Sequence, residues 1–209
     1  MLFDLASITP KERYKLLVST ITPRPIAWVV TQNVDGVLNA APFSFFNAFS
    51  ADPPVVGIGI GSHGPGRAKD TRVNIRETKQ FVINLVSYEN AKAMNVTAIE
   101  FNYGVNELAQ SGLTTHPSTH VKPPRIAESP VALECELMQM IDLGKSGLVL
   151  GRVLAMYVRD DAILDAAKCY IDTPKLDLIG RMHGTGWYAR TSDLFQIPRI
   201  PLDEWENRR

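Results

Sequence analysis

Only two cysteines, Cys135 and Cys169, occur in the 209 residues, and without a CxxC pair they supply neither a disulfide framework nor a dithiol centre. An excess of charge of one sign is also missing. Lys+Arg and Asp+Glu are both 22, so no net positive field exists to hold a polyanion, and no basic stripe is interleaved with aromatics. Nucleic acid is not an expected partner. No run of about 18 apolar residues occurs. The opening MLFDLASITPKERYK has neither a basic start nor a continuous apolar segment, so a soluble, cytoplasmic chain with no membrane partner is expected. A GxSxG elbow and carboxylates paired at hydrolytic spacing are absent, and no catalytic residue is assigned. His116 and His120 are four apart, but Pro117 breaks the helix that would aim both at one ion, so no metal site is expected. Repeats, low-complexity tracts and linker-like composition shifts are missing too. Residues 1–209 are expected to form one domain, with its core over about 14–190 and an irregular, frayed tail.

What is present is β-rich punctuation. Ile26 to Thr31, Leu38 to Ser50 and Val55 to Ile60 read as strands, joined by the QNVDG turn and interrupted at Pro53-Pro54. On the second strand, Ser44, Phe46, Ala48 and Ser50 fall on one face, and Phe43, Phe45, Asn47 and Phe49 on the other. Such a strand can pack a core and also offer a flat, partly polar platform to a planar heteroaromatic ligand. Asp70 offers an N-cap to a short helix over TRVNIRET, followed by a strand from Gln80 to Ser87 and a helix from Glu89 to Thr97. Residues 98–130 read as loop with one helical turn near Asn106 to Gln110. VALECELMQMIDLG and GLVLGRVLAMYVRD then read as a long hairpin whose two apolar faces both require cover by protein. Many strands with short helices between them predict a mainly-β barrel with appended helices, against a doubly wound parallel sheet as the alternative.

That alternative draws on Gly59-Ile60-Gly61-Ser62-His63-Gly64, a GxGxxG run after a strand. Pro65-Gly66 follows at once, so no helix can open at the third glycine, and the next helix is short for a parallel crossover. The SHGPGRAKDT loop suits a single phosphate better. Its glycines let backbone N–H groups face an anion, Ser62 and Thr71 add hydroxyls, Arg67 and Lys69 add charge, and the helix beyond Asp70 adds its dipole. From the residues alone, solvated charges and a helix cap account for the same loop. Core packing likewise accounts for the phenylalanines of Pro42 to Asn47 as well as a ligand platform does, and Trp28 reads first as core.

PRPIAWVVT, NAAPFSFFNAFSADPP, KDTRVNIRETKQFVINLV, VKPPRIAESPVALECELMQ and IGRMHGTGWY occur in this order between about Tyr14 and Tyr188. Together the five blocks resemble the flavin reductase-like family, whose members are FMN-binding split β-barrels of Greek-key topology. The resemblance implies FMN as cofactor, NADH or NADPH as electron donor, a small-molecule acceptor and a homodimer. It also implies cofactor contacts at Ala41, Pro42, Phe43, Ser44, Phe46 and Asn47 along the ring, and at Ser62, Arg67, Lys69, Asp70 and Thr71 around the phosphate. His183 falls in the block that relatives place near the flavin, where they often carry Gly; it shapes substrate access or is simply exposed. The implied activity is FMN-dependent NAD(P)H oxidoreduction, with a non-catalytic electron carrier or flavin store as the alternative. A split-barrel protein binding another planar cofactor, such as haem or pyridoxal phosphate, is a third reading.

Overall fold

Ala27 and Val29 turn to one side of β1 (Ala27–Gln32) while Trp28 and Val30 turn to the other, and all four are fully buried. A strand apolar on both faces must be sandwiched, and the rest of the fold supplies the two layers. The computed structural model describes residues 1–62 and 68–207. Its strands are β2 (Leu38–Phe43), β3 (Phe46–Ala51), β4 (Pro54–Ile60), β5 (Gln80–Leu85), the short pair β6 (Thr115–His116) and β7 (Arg125–Ile126), and the long pair β8 (Val131–Leu143) and β9 (Ser146–Val158). Two further small pairs follow, β10 (Ile163–Asp165) with β11 (Tyr170–Ile171) and β12 (Ile179–Arg181) with β13 (Tyr188–Arg190).

The main sheet runs β2-β1-β5-β8-β9-β4-β3, and every pairing within it is antiparallel. A doubly wound parallel sheet is thereby overturned. The two edge strands are consecutive in the chain, joined only by Ser44 and Phe45, and Gly59 N donates to Phe45 O at 2.6 Å. The sheet therefore curls until its edges meet at this corner, giving a mainly-β split barrel of Greek-key topology with short helices appended.

Inside the barrel lie Val29, Ile58, Ile60, Phe81, Ile83, Cys135 and Val149, together with Ile75 from helix α2 (Asp70–Thr78). Burial pushes the Cys135 thiol well above its usual range, so it stays protonated and behaves as a small hydrophobe. Outside, α3 (Ala91–Val96), α4 (Glu107–Gln110) and the segment through Ile126 cover Trp28, Val30 and Val82. Trp28 is core: its indole Nε1 donates to Thr97 Oγ1 at 2.9 Å.

Several boundaries differ from the sequence expectation. The expected strand from Leu38 to Ser50 is two strands, because closing the barrel requires a corner at Ser44-Phe45. The Asp52-Pro53 step turns the chain rather than ending the pairing, since Ala51 still faces Pro54 across the β3–β4 hairpin. Asp70 is the first helical residue and not the cap; Lys69 holds the N-cap position and makes no side-chain cap bond. A helix α1 (Pro10–Thr20) was not anticipated, although Thr9 and Glu12 form a capping box with Pro10 between them. The tail contains a short helix, α5 (Leu202–Glu206). Cover of both hairpin faces holds only for the first part of β8; Met138, Leu143, Leu154 and Met156 are exposed in this chain.

Candidate functional site

The corner at Ser44-Phe45 exists because residues 41–47 pass from one sheet edge to the other, and three adjoining cavities open along that passage. The first, of about 130 Å³, is polar and is lined by Asn39, Ala41, Pro42, Lys69, Asp70 and Thr71 on one side and by Thr97 to Phe101 and Glu107 on the other. The second, of about 240 Å³, shares Pro42 with it and adds Phe43, Ser44, Tyr14, Arg181 and Tyr188. The third, of about 410 Å³, shares Ser44 and continues past Phe45, Phe46 and Asn47 to Phe49, Leu143 and Leu148. The structure thus strings Ala41, Pro42, Phe43, Ser44, Phe46 and Asn47 along one trough with Lys69, Asp70 and Thr71 at its polar end.

At that end, features that suit an anion stand beside the carboxylates of Asp70, Glu100 and Glu107. The first N–H groups of α2 have no intrahelical partner, and the helix dipole adds positive potential there. Thr71 is 1% exposed and its Oγ1 accepts from Asn39 Nδ2 at 3.1 Å, which leaves its own hydroxyl proton to donate. Lys69 supplies charge at the lip. Ser62 bridges Ala68 as an isolated antiparallel pair, but it does not line these cavities. His63 and Gly64, which end the GxGxxG run, and Arg67 lie outside the described residues.

Glu107 adds a second polar feature. It is 7% exposed, its carboxylate accepts from Ala40 N at 2.9 Å, and burial, aided by the nearby Asp70 charge, holds its pKa above the usual carboxylate range.

The middle of the trough is fixed by Arg24. Its Nη1 donates to Val18 O at 2.8 Å and Ile21 O at 2.7 Å, its Nη2 to Met182 O at 2.9 Å, and its Nε to Ser44 Oγ at 3.4 Å. One buried guanidinium thereby ties the end of α1, the barrel corner and the 181–188 segment together. Tyr14 of α1 stacks on Phe45 with ring centroids 6.3 Å apart, and Arg181 lies 4.7 Å over the Tyr188 ring. His183 is exposed, stacks on Trp187 at 5.7 Å and lines none of these cavities; Arg181 and Tyr188 are the members of its block that do. Asn39, Glu107 and Tyr14 were not singled out from sequence as contacts. The one signal for Asn39 and Glu107 is a polar residue within an otherwise apolar pattern.

The residues fit a flat ring carrying one phosphate. A polar end of modest volume, bordered by Lys69 and the start of α2 as well as by Asp70, Glu100 and Glu107, opens into a platform of strand backbone, aromatics and a serine, and then into apolar space. Residues 19–173 match the model of the flavin reductase like domain. An uncharacterized protein of Deinococcus radiodurans is 40% identical over 99% of this chain and 92% of its own length. Among solved structures, nitrilotriacetate monooxygenase component B from Bacillus cereus is 30% identical with a TM-score of 0.89, covering 94% of this chain and 98% of that one. The Pseudomonas fluorescens 2-nitrobenzoate 2-nitroreductase NbaA is 34% identical with a TM-score of 0.87, covering 97% of both chains.

Proposed function

This chain belongs to the flavin reductase like family, and from that premise we propose that it binds FMN in the trough along residues 41–47 and uses NADH or NADPH to reduce it, passing the electrons to a small acceptor. The observation that carries this reading is the continuity of the trough. A one-phosphate anchor built from Lys69, Thr71 and the N-terminus of α2 lies at one end of the strand passage, and apolar, open space lies at the other.

Bound FMN would supply the redox chemistry, accepting a hydride equivalent from a nicotinamide and giving up its electrons singly or in pairs. The protein's part is holding and aligning. Thr71 and Lys69 fix the phosphate, Ser44 and the backbone of residues 42–47 offer hydrogen bonds along the ring edge, and Arg24 keeps that corner in register with Arg181 and Tyr188. The apolar cavity beyond Ser44 leaves room for a flat cosubstrate. No titrating side chain is required for hydride transfer, which depends on alignment and on the cofactor's potential.

Assembly as a homodimer is part of this reading. Phe49, Met138, Leu143 and Met156 lie between 53% and 64% exposed beside the apolar cavity and along the β8–β9 hairpin, and a second copy would cover them. Anaerobic mixing of FMN-loaded protein with NADH or NADPH tests the activity. Flavin absorption is expected to bleach far faster than free FMN does under the same conditions. Bleaching no faster than free FMN would leave a carrier or store, and a haem or pyridoxal spectrum in the purified protein would overturn the cofactor assignment.

A further inference from the structure

Arg72 follows directly on the residues assigned to the phosphate and points away from them, into the end of the β8–β9 hairpin. Its Nη2 pairs with Asp142 Oδ1, and its guanidinium lies so close over Gly147 that a Cβ there would come within 2.7 Å of Cζ. Asp142 and Gly147 face each other across the hairpin, and Gly147 is paired on its other side with Ile60 at the end of β4. The hairpin end therefore holds two points at once. It fixes Ile60, two residues before Ser62, through the sheet, and the first turn of α2, just after Lys69 to Thr71, through Arg72. Arg76, one turn further along α2, reaches the same strand at Met140 Sδ, 3.7 Å away.

Stability alone does not account for this arrangement. Arg72 is 8% exposed and its Nε is buried without a hydrogen-bond partner, while Asp142 is largely in solvent. A buried guanidinium with an unsatisfied donor is a poor stabiliser compared with an apolar side chain of the same volume, whereas a pair with fixed geometry is well suited to setting one orientation of a helix. We infer that Arg72, held by Asp142 and seated on Gly147, is a positioning residue that sets Lys69, Asp70 and Thr71 for the cofactor's phosphate. The inference rests on the FMN reading given above.

Two substitutions at residues that do not themselves line the trough test it. Asp142→Asn removes the partner charge at an exposed position. Gly147→Ala introduces a Cβ whose three nearest neighbours are all atoms at the flexible end of the Arg72 side chain, so it displaces the guanidinium. Each purified apoprotein is titrated with FMN and with riboflavin, which lacks the phosphate, and its thermal midpoint is recorded. In both variants the dissociation constant for FMN is expected to rise about tenfold while that for riboflavin stays within about twofold of wild type. The double variant should lose little more than either single one, because both act on one device. FMN affinity unchanged in both variants, or tightened by a guanidinium freed to reach the phosphate, overturns the inference. So does an equal loss for FMN and riboflavin, which would mark general loosening. A wild-type protein that binds riboflavin as tightly as FMN fails at the earlier step, the phosphate assignment itself.

Discussion

Replacing Lys69 by alanine separates an anion-binding lysine from a solvated loop charge. Lys69 occupies the N-cap of α2 with extended backbone and no side-chain cap bond, so truncating it removes nothing that holds the helix. The expected change in stability is a few tenths of a kcal/mol, the range for a surface position free of such features. The cofactor would feel more. Coulomb attraction between unit charges about 4 Å apart near a protein surface is roughly 4 kcal/mol before desolvation. Because Lys69 is half-exposed, water returns part of that, leaving about 1.5–3 kcal/mol, the scale of a charge-assisted hydrogen bond. The FMN dissociation constant should therefore rise about 10- to 150-fold, with riboflavin affinity unmoved. Quenching of flavin fluorescence on titration into apoprotein measures both. An FMN constant within about twofold of wild type would refute the assignment of Lys69 to the phosphate.

Three further outcomes are expected. Glu107 has a pKa raised in the fold, so the folded state binds the extra proton and stability falls as pH rises from about the ordinary value of 4.5 through the raised one. Glu107→Gln, which keeps an acceptor for Ala40 N, should flatten that stretch of a stability-against-pH curve measured by denaturant unfolding; an unchanged slope would show that the slope does not come from this carboxyl. His183→Ala should leave anaerobic flavin reduction within roughly tenfold of wild type, since the imidazole is exposed and stacked on Trp187, whereas loss of a general acid would cost about 10²–10⁴-fold in stopped-flow rate. Sedimentation should give one species near twice 23.2 kDa, and a stable FMN-saturated monomer at micromolar concentration would remove the homodimer from the account.

How much of this could be read from the chain differs from element to element. The long strands were legible because β1 and the first part of β8 carry apolar residues on both faces, the pattern of a doubly covered sheet. The corner at Ser44-Phe45 was not, because NAAPFSFFNAFS has no breaker at that point; the bend is imposed by closure of the barrel, a property of the whole sheet. Lys69, Asp70, Thr71 and residues 41–47 could be proposed from sequence because they share contiguous blocks. Arg24 reaches Met182, 158 positions away, and Glu107 reaches Ala40, 67 away, so their parts in the site depend on contacts that no local pattern reports. Helix α1 was missed, although Thr9-Pro10-Lys11-Glu12 carries its signal, a capping box coinciding with a first-turn proline.

The central claim is that one flavin monophosphate lies along residues 41–47 with its phosphate at the start of α2. A crystal structure of the FMN-loaded protein tests it most directly. The account predicts the phosphate within hydrogen-bond distance of Thr71 Oγ1 and the Lys69 ammonium, the ring against Pro42 to Ser44, and Glu107 beneath the polar end. A cofactor bound elsewhere, with Lys69 in solvent and the cavity beside Thr71 filled by water, would contradict it.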